Sequence, residues 1–70
     1  MPALRELNYP EVVRRLRHLG FRFYRHGKGS HELWVRDSDG RVVPVPHFRK
    51  GTVRAIIREV GVSVAGFMES

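Results

Sequence analysis

The sequence predicts a two-layer α+β domain in the order α-β-β-β-α, with both helices packed on one face of a three-stranded antiparallel sheet. Two stretches with apolar residues at helical spacing flank a central segment in which the apolar period falls to two. Within that segment, Asp37-Ser38-Asp39-Gly40-Arg41 has the composition of a hairpin turn. A chain of 70 residues has room for a single domain, 1–70, which buries only about 60% of its extended-chain surface on folding.

The first helix starts at Asn8-Tyr9-Pro10-Glu11, which combines an N-cap residue, a proline in the first turn and a glutamate three residues after the cap. Tyr9, Val12, Val13, Leu16 and Leu19 recur at spacings of three and four and form its apolar stripe; Arg14, Arg15, Arg17 and His18 fall outside it. Gly20 ends the helix at about C′, with Phe21 placed to pack back on the last turn. The second helix runs from roughly Gly51 to Val60, burying Val53, Ile56, Ile57 and Val60 and stopping at Gly61. Ser63 caps a last short turn or helix that docks Phe67 and Met68.

Between the helices lie three strands. Phe21, Phe23 and Arg25 alternate with Arg22, Tyr24 and His26; Leu33 and Val35 with Glu32, Trp34 and Arg36; Val43 and Val45 with Val42, Pro44 and Pro46. A three-residue loop, Ser38-Asp39-Gly40 with Gly40 left-handed, pairs Asp37 with Arg41, Val35 with Val43, Leu33 with Val45, and His31 with His47. That register brings the two imidazoles together on the helix-covered side, with Cβ atoms about 5 Å apart. A loop one residue longer or shorter pairs His31 with Pro46 and sends the histidines to opposite faces. Pro44 and Pro46 lack N–H donors, so the third strand is expected to be an edge or to donate from its other side only. The face away from the helices is expected to carry Arg22, Tyr24, Trp34 and Arg36, an aromatic and basic surface of the kind on which single-stranded nucleic acid stacks.

Thirteen Lys and Arg against seven Asp and Glu give a net charge of +6, which favours a polyanionic partner. Eleven of the 13 are arginine, whose planar fork suits phosphate, although a biased base composition produces the same excess. The absence of cysteine excludes disulfides, thiolate nucleophiles and Cys-ligated zinc. No apolar run approaches the roughly 20 residues of a membrane span, and the start Met1-Pro2-Ala3-Leu4-Arg5-Glu6 has no signal-like core, so a cytoplasmic protein is expected.

His31, behind the flexible Gly29-Ser30 step, and His47, after Val43-Pro44-Val45-Pro46, are the candidate proton-transfer groups, because imidazole both takes and gives a proton near neutral pH. Candidate nucleic-acid contacts are Arg22, Tyr24, Lys28, Ser30, Trp34, Arg36, Arg49, Lys50 and Thr52, with the backbone N–H groups of the Gly51-Thr52 helix start suited to phosphate. His26, His31 and His47 have no regular ligand spacing and no carboxylate cluster beside them, so neither a metal nor another cofactor is expected. The residues alone leave three readings open: a nuclease, a non-catalytic RNA-binding module of the same fold, and a module whose basic surface meets an acidic protein.

Gly29-Ser30-His31, the Val43-Pro44-Val45-Pro46-His47 run, Lys50-Gly51-Thr52-Val53-Arg54-Ala55-Ile56 and Val60-Gly61-Val62-Ser63 followed by Phe67 resemble, in order and spacing, the HicA toxins of bacterial toxin–antitoxin pairs. The resemblance implies a double-stranded-RNA-binding-domain-like fold, an mRNA-cleaving endoribonuclease activity with His31 as the catalytic residue, and neutralisation by a HicB-type antitoxin. Two departures from the family pattern are visible. Only Phe48-Arg49-Lys50 separates His47 from the Gly51-Thr52 helix start, where a longer basic insert is typical, and Val64-Ala65-Gly66 lacks the acidic residues common there.

Overall fold

A computed structural model describes residues 6–47 and 53–70. Its elements follow the expected order: α1 (Tyr9–His18), β1 (Phe21–His26), β2 (His31–Arg36), β3 (Arg41–Pro46), α2 (Arg54–Val60) and a short α3 (Val64–Met68). Arg49, Lys50 and Thr52, expected to meet phosphate, and Gly51 at the expected start of the second helix lie outside the described residues.

Local chemistry sets the helix ends. Asn8 Oδ1 accepts the Glu11 N–H at 3.0 Å and Glu11 Oε1 accepts the Asn8 N–H at 3.0 Å, so two of the orphan donors at the start of α1 are satisfied reciprocally. The helix closes on Gly20 at φ 92°, a left-handed backbone that a side chain resists. Gly61, at φ 87°, ends α2 in the same way, and there Arg41 of β3 adds a long-range cap: its Nη1 donates to the Glu59 carbonyl at 2.9 Å. The Ser63 hydroxyl accepts the Gly66 N–H at 3.0 Å and starts α3, whose Phe67 is fully buried.

The sheet has the order β1-β2-β3, antiparallel throughout. Cross-strand partners share a face, so the pairing assigns each paired side chain to one of two layers. Phe21, Arg36 and Arg41 form one row of the helix-covered side, Phe23, Trp34 and Val43 the next, and His26, Glu32 and Val45 the last. On the open side the rows are Arg22, Val35 and Val42, then Arg25, Leu33 and Pro44, with His31 opposite Pro46 at the end. Between Phe23 and Arg25 the register shifts, leaving Tyr24 as the extra residue of a bulge. Leu7, Val12 and Leu16 before the sheet, Val43 and Val45 within it, and Ile56, Ile57, Val60 and Phe67 after it close around Trp34 as one core.

This arrangement corrects the expected register by one residue. Trp34, not Val35, faces Val43, and His31 pairs with Pro46, not with His47. The hairpin connection is four residues long, Asp37 to Gly40, with Gly40 left-handed at φ 70° as expected. Asp39 accounts for the longer loop. Its carboxylate accepts both Arg36 guanidinium donors, at 3.1 and 2.8 Å, and the Arg41 N–H at 3.2 Å, and this set of donors, the Arg36 guanidinium foremost, holds its carboxyl down to about 2. Asp37, freed from Arg41, turns to Arg22 on β1 at 2.7 and 3.0 Å. Because Val43 and Val45 remain on the helix side, the extra loop residue turns β2 over and Trp34 enters the core at 1% exposure. The exposed aromatic face expected from Trp34 and Arg36 therefore does not form: Arg36 lies on the helix side, its guanidinium 4.9 Å from the centre of the Phe21 ring.

Candidate functional site

His31 opens β2 at the mouth of the β1–β2 hairpin. The Gly27 N–H donates to its carbonyl at 2.9 Å, and its own N–H donates to the Lys28 carbonyl at 3.1 Å. Gly29 sits at φ 60° with open space where a Cβ would be, so its glycine serves the backbone turn and not a close contact. The imidazole is exposed, and Nδ1 lies 3.3 Å from that same Lys28 carbonyl. A carbonyl oxygen can only accept, so in the neutral ring this hydrogen bond places the proton on Nδ1 and the lone pair on Nε2. An imidazole held by one nitrogen with the other free is the form a general base requires.

The surroundings of His31 are an apolar strip with basic margins. Leu33, Val35, Val42, Pro44 and Pro46 share its face, with Arg22 and Arg25 on the β1 side. Lys28 and Ser30 are exposed in the hairpin loop beside it, and Tyr24 is 51% exposed with the Arg25 guanidinium 5.7 Å from its ring centre. Lys28 and Ser30 thus lie next to His31, and Tyr24 and Arg25 toward the same end of β1, whereas Arg22 stands at the other end of the strand pair, opposite Val35 and bonded to Asp37. Trp34 and Arg36 are on the other side.

His47 is also on the other side. Its ring centre is 4.5 Å from that of Tyr9 at the start of α1, so the expected imidazole pair is replaced by two separate environments. The two imidazoles are therefore not placed together to act as base and acid on one phosphate.

A cluster not anticipated from the sequence occupies that side. The Tyr9 hydroxyl donates to Glu32 Oε1, and the Trp34 indole N–H donates to the same oxygen at 3.1 Å. Partial burial pushes the Glu32 carboxyl up, but the two hydrogen bonds and the positive fields of His47 and His26 outweigh it and the pKa is lowered. Tyr9 is driven the other way, to about 12 from 10.0, first by burial and then by its bond to the carboxylate. Its neutral form therefore stabilises the fold fully below pH 10, and this contribution disappears as pH rises toward 12. A phenolate absorbance titration is expected to show a component with a midpoint near 12 that Tyr9→Phe removes; if the component lost in Tyr9→Phe instead titrates near the ordinary 10, the burial and the bond to Glu32 are refuted.

The strand alternation placed Glu32 and Trp34 on one face, which was the available signal; what alternation alone does not supply is the partner, because Tyr9 reaches Glu32 across 23 positions of sequence. Among the described residues no group of His, Asp and Glu side chains is placed to hold a metal ion, and no helix is long and apolar enough to cross a membrane.

Comparison with protein-family models matches residues 9–62 to the family described as the HicA toxin of bacterial toxin–antitoxin systems. Neither the comparison with curated proteins nor that with solved structures found a match. The matched span contains His31 with its hairpin, the Tyr9 and Glu32 cluster, His47 and both main helices.

Proposed function

The chain belongs to the HicA toxin family, the toxin half of bacterial toxin–antitoxin pairs with a cognate antitoxin as partner, and from that premise we propose that it is an endoribonuclease that cleaves mRNA through His31. The observation that carries this reading is the exposed imidazole of His31, anchored through Nδ1 to the Lys28 carbonyl with Nε2 free. RNA supplies its own nucleophile. Nε2 removes the proton of a ribose 2′-hydroxyl, the 2′-oxygen attacks the adjacent phosphorus, and the bond from phosphorus to the 5′-oxygen breaks, leaving a 2′,3′-cyclic phosphate and a 5′-hydroxyl. The proton needed by the departing oxygen comes from water or from the imidazolium just formed, since His47 lies across the sheet. Lys28 and Arg25, with Arg49 and Lys50 of the basic stretch, supply attraction for the backbone, and Tyr24 supplies an exposed ring for a base.

Cleavage is expected to continue in excess chelator, to leave cyclic-phosphate ends and to spare DNA of the same sequence. If about four phosphates are contacted on a single strand, log affinity falls with log salt at a slope near −3. Loss of cleavage on chelation would overturn the 2′-hydroxyl mechanism.

The antitoxin in this reading is of HicB type and covers the open face around His31 with a predominantly acidic or aromatic surface, its acidic groups against Arg25 and Lys28. An antitoxin complex that still binds and cleaves RNA at saturation would refute occlusion. The second reading, an RNA-binding module without catalysis, draws on the same net charge of +6 and the same exposed Tyr24, and differs only in what His31 does.

A further inference from the structure

Glu32 carries more than its structural task needs. The Tyr9 hydroxyl and the Trp34 indole N–H both donate to Oε1, and the oxygen of a neutral amide would serve these two donors equally well. The second oxygen, Oε2, accepts no hydrogen bond from any described residue, and the side chain is only partly buried. It stands beside His26, its cross-strand partner. Phe23, on the same face, is 39% exposed, its ring centre 5.3 Å from that of His26 in an edge-on arrangement.

A carboxylate in a chain of net charge +6 repels phosphate at the one spot where it stands, while the open ring beside it takes a flat apolar group. The group that fits both is the base of a nucleotide, not its phosphate. We propose that Glu32 Oε2 is a base-reading acceptor for single-stranded RNA, taking a hydrogen bond from the exocyclic amino group of a base stacked on Phe23. The proposal rests on the RNA-cleaving reading and adds a specificity determinant to it. His31 and Glu32 are consecutive on β2, about 3.8 Å apart at Cα, and point to opposite faces. An RNA strand that crosses the short end of the β1–β2 hairpin meets both, one at the scissile phosphate and the other at a neighbouring base. Adenine, cytosine and guanine carry an amino group at the ring edge. Uracil offers only a ring N–H flanked by two carbonyl oxygens, which a carboxylate repels, so uracil is the base excluded.

Glu32→Gln tests this with almost no change of shape. Tyr9 and Trp34 are both donors, so the amide must keep its oxygen toward them, and its NH2 group then replaces Oε2. An acceptor becomes a donor, and the preference should turn toward the carbonyl oxygens of uracil. The measurement is the fluorescence anisotropy of labelled 2′-O-methyl oligomers of adenosine, cytidine and uridine, which bind without being cleaved. The wild-type chain is expected to bind the first two about tenfold more tightly than the third, and Glu32→Gln to abolish or reverse that order. Equal wild-type affinities for the three oligomers overturn the proposal without recourse to any variant, and so does an order unchanged in a folded Glu32→Gln protein. Binding to none of the three removes the RNA reading itself. If Glu32→Gln instead weakens antitoxin binding and leaves the base preference alone, Oε2 belongs to a cationic side chain of the partner and the base-reading role is refuted.

Discussion

His31→Ala is expected to abolish growth inhibition and to lower RNA cleavage by about 10²- to 10⁴-fold, the usual worth of a positioned general base, without unfolding the protein. The fold should survive because the imidazole is exposed and its one hydrogen bond, to the Lys28 carbonyl, duplicates a contact that the His31 backbone N–H already makes with that oxygen. RNA affinity should change little, since the phosphate-attracting groups Arg25 and Lys28 remain. Circular dichroism, oligonucleotide binding and cleavage of a labelled message separate the three effects. His47→Ala supplies the contrast: it removes a ring from the far side of the sheet, beside Tyr9, and should leave most of the cleavage rate. Wild-type cleavage by a folded His31→Ala protein would end the catalytic assignment in favour of the RNA-binding module. A loss in His47→Ala as deep as in His31→Ala, with the fold intact, would require the two groups to meet in the RNA complex.

The contrast between the histidines also shows what the sequence makes legible. Helix ends were readable because their determinants are local: the capping box of Asn8 and Glu11, the left-handed Gly20 and Gly61, and the Ser63 cap all act within a few residues of themselves. The position of His31 at the start of a strand was readable for the same reason. The face of β2 was not, because it turns on whether the hairpin loop has three residues or four, and Asp37-Ser38-Asp39-Gly40 has the right composition for both. Asp39 decides the matter by drawing in the Arg36 guanidinium and the Arg41 N–H together, an outcome that depends on where two long side chains end and not on residue type. The Glu32 cluster was hidden for a related reason. It needs the first residue of α1 to lie over the end of β2, and only the packed fold brings Tyr9 there.

Trp34→Ala tests that reversal of β2, and the result should be loss of the fold, not loss of RNA affinity. The indole is 1% exposed, packed against Phe23 at 6.1 Å between ring centres, covered by Arg17 at 5.1 Å and hydrogen bonded to Glu32. Truncating a buried tryptophan costs about 3–5 kcal/mol, and the domain as a whole is stable by only about 4–10 kcal/mol on the usual per-residue scale. The loss therefore takes a large share of the total, and it leaves Glu32 without one of its two donors. Urea denaturation followed by far-ultraviolet circular dichroism measures it, the signal being chosen because Trp34 is the only tryptophan and its fluorescence goes with the substitution. In the wild-type protein the same singularity is useful, since emission from Trp34 should be shielded from acrylamide. Trp34→Phe keeps most of the volume and should cost much less than Trp34→Ala, the remainder reflecting the lost N–H bond and the smaller ring. If Trp34→Ala instead kept wild-type stability and bound RNA weakly, Trp34 would lie on the open face. The three-residue loop and the pairing of His31 with His47 would then have to be restored, and with them a base and an acid on one side of the sheet.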